Sequence, residues 1–182
     1  MKINLPLVAT LAFASCIIPA QLARADDSQA VTPADPSAAA FEGTTVDLAR
    51  SWGNADACIE IDGTVECYRT ERQLDAAHPE FAAGESSSLA ALASCSSSLR
   101  LYRSNNYTGG TLVLTTRGVV INLSTYGFDN DTSSYRVGAC SSTFWAGSSG
   151  SGSVYPGNTG AWASAPSMLA AWNNFISSVY IS

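Results

Sequence analysis

The stretch that decides the fold is Gly127-Phe128-Asp129-Asn130-Asp131-Thr132-Ser133-Ser134-Tyr135-Arg136-Val137. Two carboxylates, an amide and three consecutive hydroxyls crowd together and then run into an alternating strand. A turn needs only one or two such side chains. Ala171-Trp172-Asn173-Asn174-Phe175-Ile176-Ser177-Ser178-Val179-Tyr180-Ile181 aligns with it without a gap: an aromatic, two Asn/Asp residues, two variable residues, Ser-Ser, then a strand. Asp129 and Asn173 are 44 residues apart, the period of a repeated four-stranded unit. Asx and Ser turns would account for one copy. Two copies at this spacing point instead to oxygen ligands for a hard cation, because carboxylate, amide, hydroxyl and carbonyl oxygens are what calcium selects.

Outward from these loops, residues 99–182 carry short β-rich runs separated by Gly, Asn and Ser: Leu99–Arg103, Thr111–Thr115, Val119–Leu123, Ser133–Gly138, Ser142–Gly147 and Ser177–Ser182. Their spacing predicts an all-β sandwich or barrel. Residues 147–160 read as a long flexible loop, and a short helical turn is expected after Pro166.

The region before Leu99 is of another kind. Residues 1–25 combine Lys2, an apolar run from Leu5 to Ile18, and Ala23 and Ala25 before a cleavage point, which predicts a secretory signal peptide and a secreted, extracellular protein. Ala14-Ser15-Cys16 is the alternative, a lipobox-like site with a poor start at Phe13. The apolar run, broken by Pro6 and Pro19, is too short for a membrane span. Removing 25 of 182 residues leaves 157, enough for one domain with a core, or for a small domain and an attached segment. Residues 26–50 read as a flexible leader rich in Ala, Ser, Pro, Asp and Thr. Residues 51–98 read as a small disulfide-containing segment. In it, Asp62-Gly63 between alternating apolar residues marks a two-residue hairpin, whose register sets Cys58 opposite Cys67 and predicts their disulfide. Cys95 and Cys140 form the remaining pair. A short helix from about Thr70 ends at a turn at His78-Pro79, with His78 on the surface.

Charge separates the two regions. Residues 26–98 hold thirteen acids against Arg50, Arg69 and Arg72, a net charge of −10, while 99–182 hold Asp129 and Asp131 against four arginines, a net +2. This opposition suggests that the acidic segment docks on the C-terminal region. No basic patch with interleaved aromatics supports a nucleic-acid partner. With one histidine and no Ser- or Cys-centred catalytic motif, the sequence does not read as an enzyme.

These loops resemble the microbial calcium-binding branch of the βγ-crystallin Greek-key family. Its signature is two Asn/Asp residues, two variable residues, Ser/Thr, Ser. It also has an aromatic, four residues, an aromatic, one residue and glycine, as in Tyr102, Tyr107 and Gly109. The resemblance covers residues 99–182 and implies a βγ-crystallin-like β-sandwich of two four-stranded motifs, preceded by the disulfide-linked hairpin and helix. It further implies two calcium ions, each held jointly by both loops. Their metal-binding residues would be Asp129, Asn130, Asp131, Ser133, Asn173, Asn174, Phe175 and Ser177, with Ser133 and Ser177 as side-chain ligands and carbonyls around Asn130, Asp131, Asn174 and Phe175 supplying the others. Ser134 and Ser178 would be structural, and Gly109 would permit the hairpin bend.

In the second motif the aromatic-glycine signature reads as stretched, running from Trp145 to Tyr155-Pro156-Gly157. Arg103 follows Tyr102 where calcium-binding relatives can offer an acid nearby. With so few carboxylates, binding is expected to be weak. The alternative function is a secreted metalloprotease inhibitor on the same fold, docking through the Cys58–Cys67 hairpin or the loop at 147–153. A cell-surface or carbohydrate-binding role rests only on Trp145, Trp162 and Trp172.

Overall fold

The computed structural model describes residues 35–82 and 98–182. The expected signal peptide, and Cys95 of the expected Cys95–Cys140 pair, lie outside the described residues. Two hairpins come first. Strands β1 (Ala38–Phe41) and β2 (Thr44–Asp47) turn through Glu42-Gly43, and β3 (Ala57–Ile61) and β4 (Thr64–Tyr68) through Asp62-Gly63. All four turn residues have positive φ, as two-residue hairpin turns require. The β3–β4 register is the expected one, Ile61 opposite Thr64 through Cys58 opposite Cys67, and the Cys58–Cys67 disulfide closes it. Helix α1 (Glu71–Ala77) follows, with the Thr70 hydroxyl accepting from the Gln73 amide as N-cap.

The C-terminal region supplies β5 (Leu99–Ser104), β6 (Thr108–Leu114), β7 (Val120–Asn122), β8 (Ser134–Val137), β9 (Ser142–Trp145), β10 (Ser164–Ala165) and β11 (Ser178–Ile181). The strands form two sheets. One runs β10-β8-β5-β6-β3-β4-β1-β2 and the other β7-β11-β9. The third strand of each motif is exchanged: β7, from the first, pairs with β11 of the second, and β10, from the second, pairs with β8 of the first. That exchange makes the two motifs one body. Between the sheets, Leu101, Leu112, Phe128, Tyr135, Phe144, Ile176 and Val179 form a continuous buried core, with the rings of Tyr135 and Phe144 edge to face at 5.1 Å.

The structure corrects the reading of the leader. Residues 38–47, expected in an unpacked leader, form two strands. Ala39 and Phe41 are buried, and β1 pairs parallel with β4. Ala-rich strands have little intrinsic preference for β structure, so tertiary pairing decides here. The segment from 51 joins the same sheet, because β3 pairs parallel with β6 and continues the first motif's strands. The Glu60 carboxylate secures this junction by accepting from the Gly63 and Thr116 amides at 2.8 and 3.0 Å.

Besides this strand pairing, the acidic segment docks on the C-terminal region around a buried cation. Arg100 on β5 is 2% exposed. Its guanidinium donates to Glu71 at 2.6 Å, Asp75 at 2.5 Å and the Phe81 carbonyl at 2.6 Å, while Tyr102 Oη donates to Glu71 at 2.9 Å. Glu71 and Asp75 stand four apart on one face of α1, one turn of helix. On the same helix Leu74 packs into a small cluster with Ala57, Ile59 and Val113. His78 is drawn in as well: its Nε2 lies 3.0 Å from Tyr68 Oη and 3.2 Å from Glu66 Oε2, so it is not the free surface residue expected.

Removing the partners of a buried charge is more damaging than removing an exposed pair. Glu71→Gln with Asp75→Asn should lower unfolding free energy by about 3 kcal/mol in urea titration. Arg50→Ala, which breaks the exposed Arg50–Asp47 pair, should change it by less than about 0.5 kcal/mol.

Candidate metal centre: the paired loops

The two loops are related by an approximate twofold that extends to individual hydrogen bonds. The Asn130 amide donates to the Ile176 carbonyl and the Asn174 amide to the Thr132 carbonyl, both at 2.9 Å. Asn130 and Asn174 take the same left-handed conformation, with φ of 53° and 56°. The Ser133 amide donates to the Tyr102 carbonyl at 2.8 Å and the Ser177 amide to the Trp145 carbonyl at 2.9 Å. Side chains cross in the same way: Ser133 Oγ to Asn174 Oδ1 at 3.1 Å, and Ser177 Oγ to Asn130 Oδ1 at 3.5 Å. The second distance is at the limit of a hydrogen bond. Of the expected ligands, then, Asn130, Ser133, Asn174 and Ser177 are brought together as two crossed hydroxyl–amide pairs. Among the described residues, nothing donates to the carbonyls of Asn130, Asp131, Asn174 or Phe175.

The remaining expected ligands are placed differently. Asp129 and Asn173 are exposed at the loop starts, with Asp129 accepting from Asn130 Nδ2 at 3.1 Å. Phe175 is 49% exposed, its ring 5.9 Å from that of Trp172. Asp131 is half-buried and ion-paired to Arg103 Nε at 3.2 Å. Burial pushes its carboxyl above the usual range, against the pull of Arg103.

Beneath the loops, Ser134 and Ser178 hold the hairpins that fold over them. Ser134 Oγ donates to the Ser104 carbonyl at 2.6 Å and accepts from the Tyr107 amide at 3.1 Å. Ser178 Oγ donates to the Gly147 carbonyl at 2.6 Å and accepts from the Gly150 amide at 3.0 Å. These matched bonds correct the reading of a stretched second signature. Counting from Trp145 as from Tyr102, Gly150 stands where Tyr107 does and Gly152 where Gly109 does. The φ values agree, 60° and 75° in the first hairpin against 72° and 76° in the second. The second aromatic is simply replaced by glycine, which favours that left-handed position. Residues 147–153, expected as a flexible loop, contain this hydrogen-bonded corner, including Gly147 N to the Ser151 carbonyl at 2.9 Å. The strand that should follow is reduced to one bridge, Trp145 opposite Val154.

A covering layer over the first loop was not anticipated. The Trp52 indole donates to the Tyr126 carbonyl at 2.7 Å and packs 5.7 Å from the Phe128 ring. Arg103 lies over both rings, 4.5 Å from Trp52 and 5.0 Å from Phe128. Gly127 is required there, since a Cβ would meet the Leu48 carbonyl at 2.2 Å. A lone tryptophan beside a low-complexity segment was the available signal. The two protease-docking candidates are both structured: the Cys58–Cys67 hairpin is flanked by β6 and β1 in mid-sheet, and the 147–153 corner is folded on itself. Trp162 is 44% exposed, whereas Trp145 and Trp172 are half-buried.

Thr132 is fully buried and its hydroxyl has no partner among the described residues. Its counterpart is Ile176, also fully buried, so this position faces the core and not the cation. Thr132→Val should therefore stabilise the protein by about 1 kcal/mol in thermal or urea unfolding, by relieving an unsatisfied hydroxyl.

No protein-family model matches the sequence, and no curated protein does. Among solved structures, a βγ-crystallin from Ciona intestinalis aligns at 20% identity and a TM-score of 0.39, covering 47% of this chain and 99% of that one. A βγ-crystallin domain from Clostridium beijerinckii aligns at 18% and 0.39, covering 46% and 95%, and one from Flavobacterium johnsoniae at 20% and 0.37, covering 46% and 92%. No helix among the described residues is long and apolar enough to cross a membrane. The strand order, the exchanged third strands and the serine-held hairpins of both motifs give residues 99–182 a βγ-crystallin-like Greek-key fold.

Proposed function

We propose that this is a secreted calcium-binding protein in which the paired loops hold the ion and calcium stabilises the fold. The observation that carries the reading is the crossed pair of loops, which presents hydroxyl, amide and unbonded carbonyl oxygens in matched positions. The donor set fits a hard cation, which prefers neutral and anionic oxygen to nitrogen or sulfur. Ser133, Ser177 and the carbonyls of Asn130, Asp131, Asn174 and Phe175 would hold it. Calcium would supply charge that draws both loops together, adding to the two backbone and two side-chain hydrogen bonds that cross between them. Two carboxylates serve the loops, and Arg103 already neutralises Asp131, so affinity is low, with a Kd on the order of 10⁻⁴ to 10⁻³ M. The role is structural and not catalytic.

A secreted metalloprotease inhibitor is the alternative. It draws less support, because an inhibitory loop must present extended backbone, and neither candidate loop is free to do so.

Calorimetric titration of calcium into the EDTA-treated mature protein tests the reading. Two weak sites are expected, both lost in Ser133→Ala with Ser177→Ala. At a hundred times the Kd, calcium should raise stability by about 2.7 kcal/mol. Absence of heat, with an unchanged thermal melt in millimolar calcium, would reject the reading and make a panel of extracellular proteases the next experiment.

A further inference from the structure

Resting on the calcium reading, we propose that the two ion sites are unequal and that Arg103, held in place by the N-terminal segment, is the residue that weakens one of them. The inequality comes from comparing positions that the internal twofold makes equivalent. Tyr102 and Trp145 accept the matching bonds from Ser133 and Ser177, so the residues after them, Arg103 and Ala146, stand at the same place beside their loops. One is a cation and the other a methyl group. Within the loops, Asp131 corresponds to Phe175, so the carboxylate that Arg103 engages also has no counterpart.

Arg103 is fixed from four directions. Its Nε is 3.2 Å from Asp131 Oδ2, its Nη2 donates to the Gly127 carbonyl at 3.0 Å, and the Trp52 and Phe128 rings flank it at 4.5 and 5.0 Å. Flanking aromatic faces hold a guanidinium in place by cation–π attraction. Trp52 belongs to the N-terminal segment and is anchored through the Tyr126 carbonyl. The segment thus supplies one of the two aromatic faces on a cation that cancels a loop carboxylate and repels an incoming divalent ion. Among the described residues the second loop has no such cover: Phe175 and Leu169 are 49% and 48% exposed.

The test is calcium calorimetry on the mature protein and on Arg103→Gln, Ala146→Arg and the exposed control Arg50→Gln. In Arg103→Gln the weaker site should tighten by about tenfold while the other changes less than about twofold, the effect of removing one unit charge within a few ångströms of a divalent ion. The calcium-free melting temperature should fall while the calcium-induced shift grows. Ala146→Arg should weaken the tighter site by a similar factor, and it keeps the inference testable if Arg103→Gln does not fold. Two sites of equal affinity, unmoved by either substitution, would overturn the inference and leave calcium binding standing. Heat absent from all four proteins would overturn both.

Discussion

Each of two serine hydroxyls, Ser134 and Ser178, ties a folded hairpin to the loop that crosses it, donating to the Ser104 or Gly147 carbonyl and accepting from the Tyr107 or Gly150 amide. Everything around the candidate metal centre depends on these ties. With the hairpin closed, the Tyr102 and Trp145 carbonyls receive the Ser133 and Ser177 amides, which sets the neighbouring hydroxyls facing the other loop. A buried hydroxyl that both donates and accepts is satisfied, so neither tie leaves a polar group stranded. Because the motifs exchange their third strands, neither loop can be set without the other.

Onto this twofold core the N-terminal segment adds a one-sided extension. Arg100 joins it to α1 through two carboxylates, and Trp52 and Leu48 close over the first loop. A buried ion pair of this kind adds little net stability over an apolar contact, because both charges must be dehydrated before they attract, yet losing either partner is costly. The outcome is a domain whose halves are equivalent in backbone and unlike in surroundings.

Much of this was legible in the sequence. Asp62-Gly63 set the β3–β4 register and hence the disulfide, and the two Ser-Ser loops announced both motifs. Opposite charge in the two regions anticipated their contact, although not that Arg100 would carry it. What escaped had physical causes. Ala38–Phe41 lacks β-branched residues and becomes a strand only through its partners. The second corner was misplaced because Gly150 performs with backbone alone what Tyr107 does with a ring attached. Trp52 could not be placed over Phe128 without knowing that β3 would align with β6.

That parallel pairing of β3 with β6 also bears on solubility. In a two-motif sandwich of this topology β6 would be an outer strand, and here it runs from Thr108 to Leu114 with its last five residues buried. Without β3 it would bare the amides and carbonyls that point away from β5, the template on which edge-to-edge aggregation grows. The extension moves the sheet's rim four strands outward to Thr44–Asp47, a short strand closed by a carboxylate. The N-terminal segment is therefore also a guard, and a Greek-key domain cut free at residue 98 would carry into solution the edge that the whole chain keeps covered.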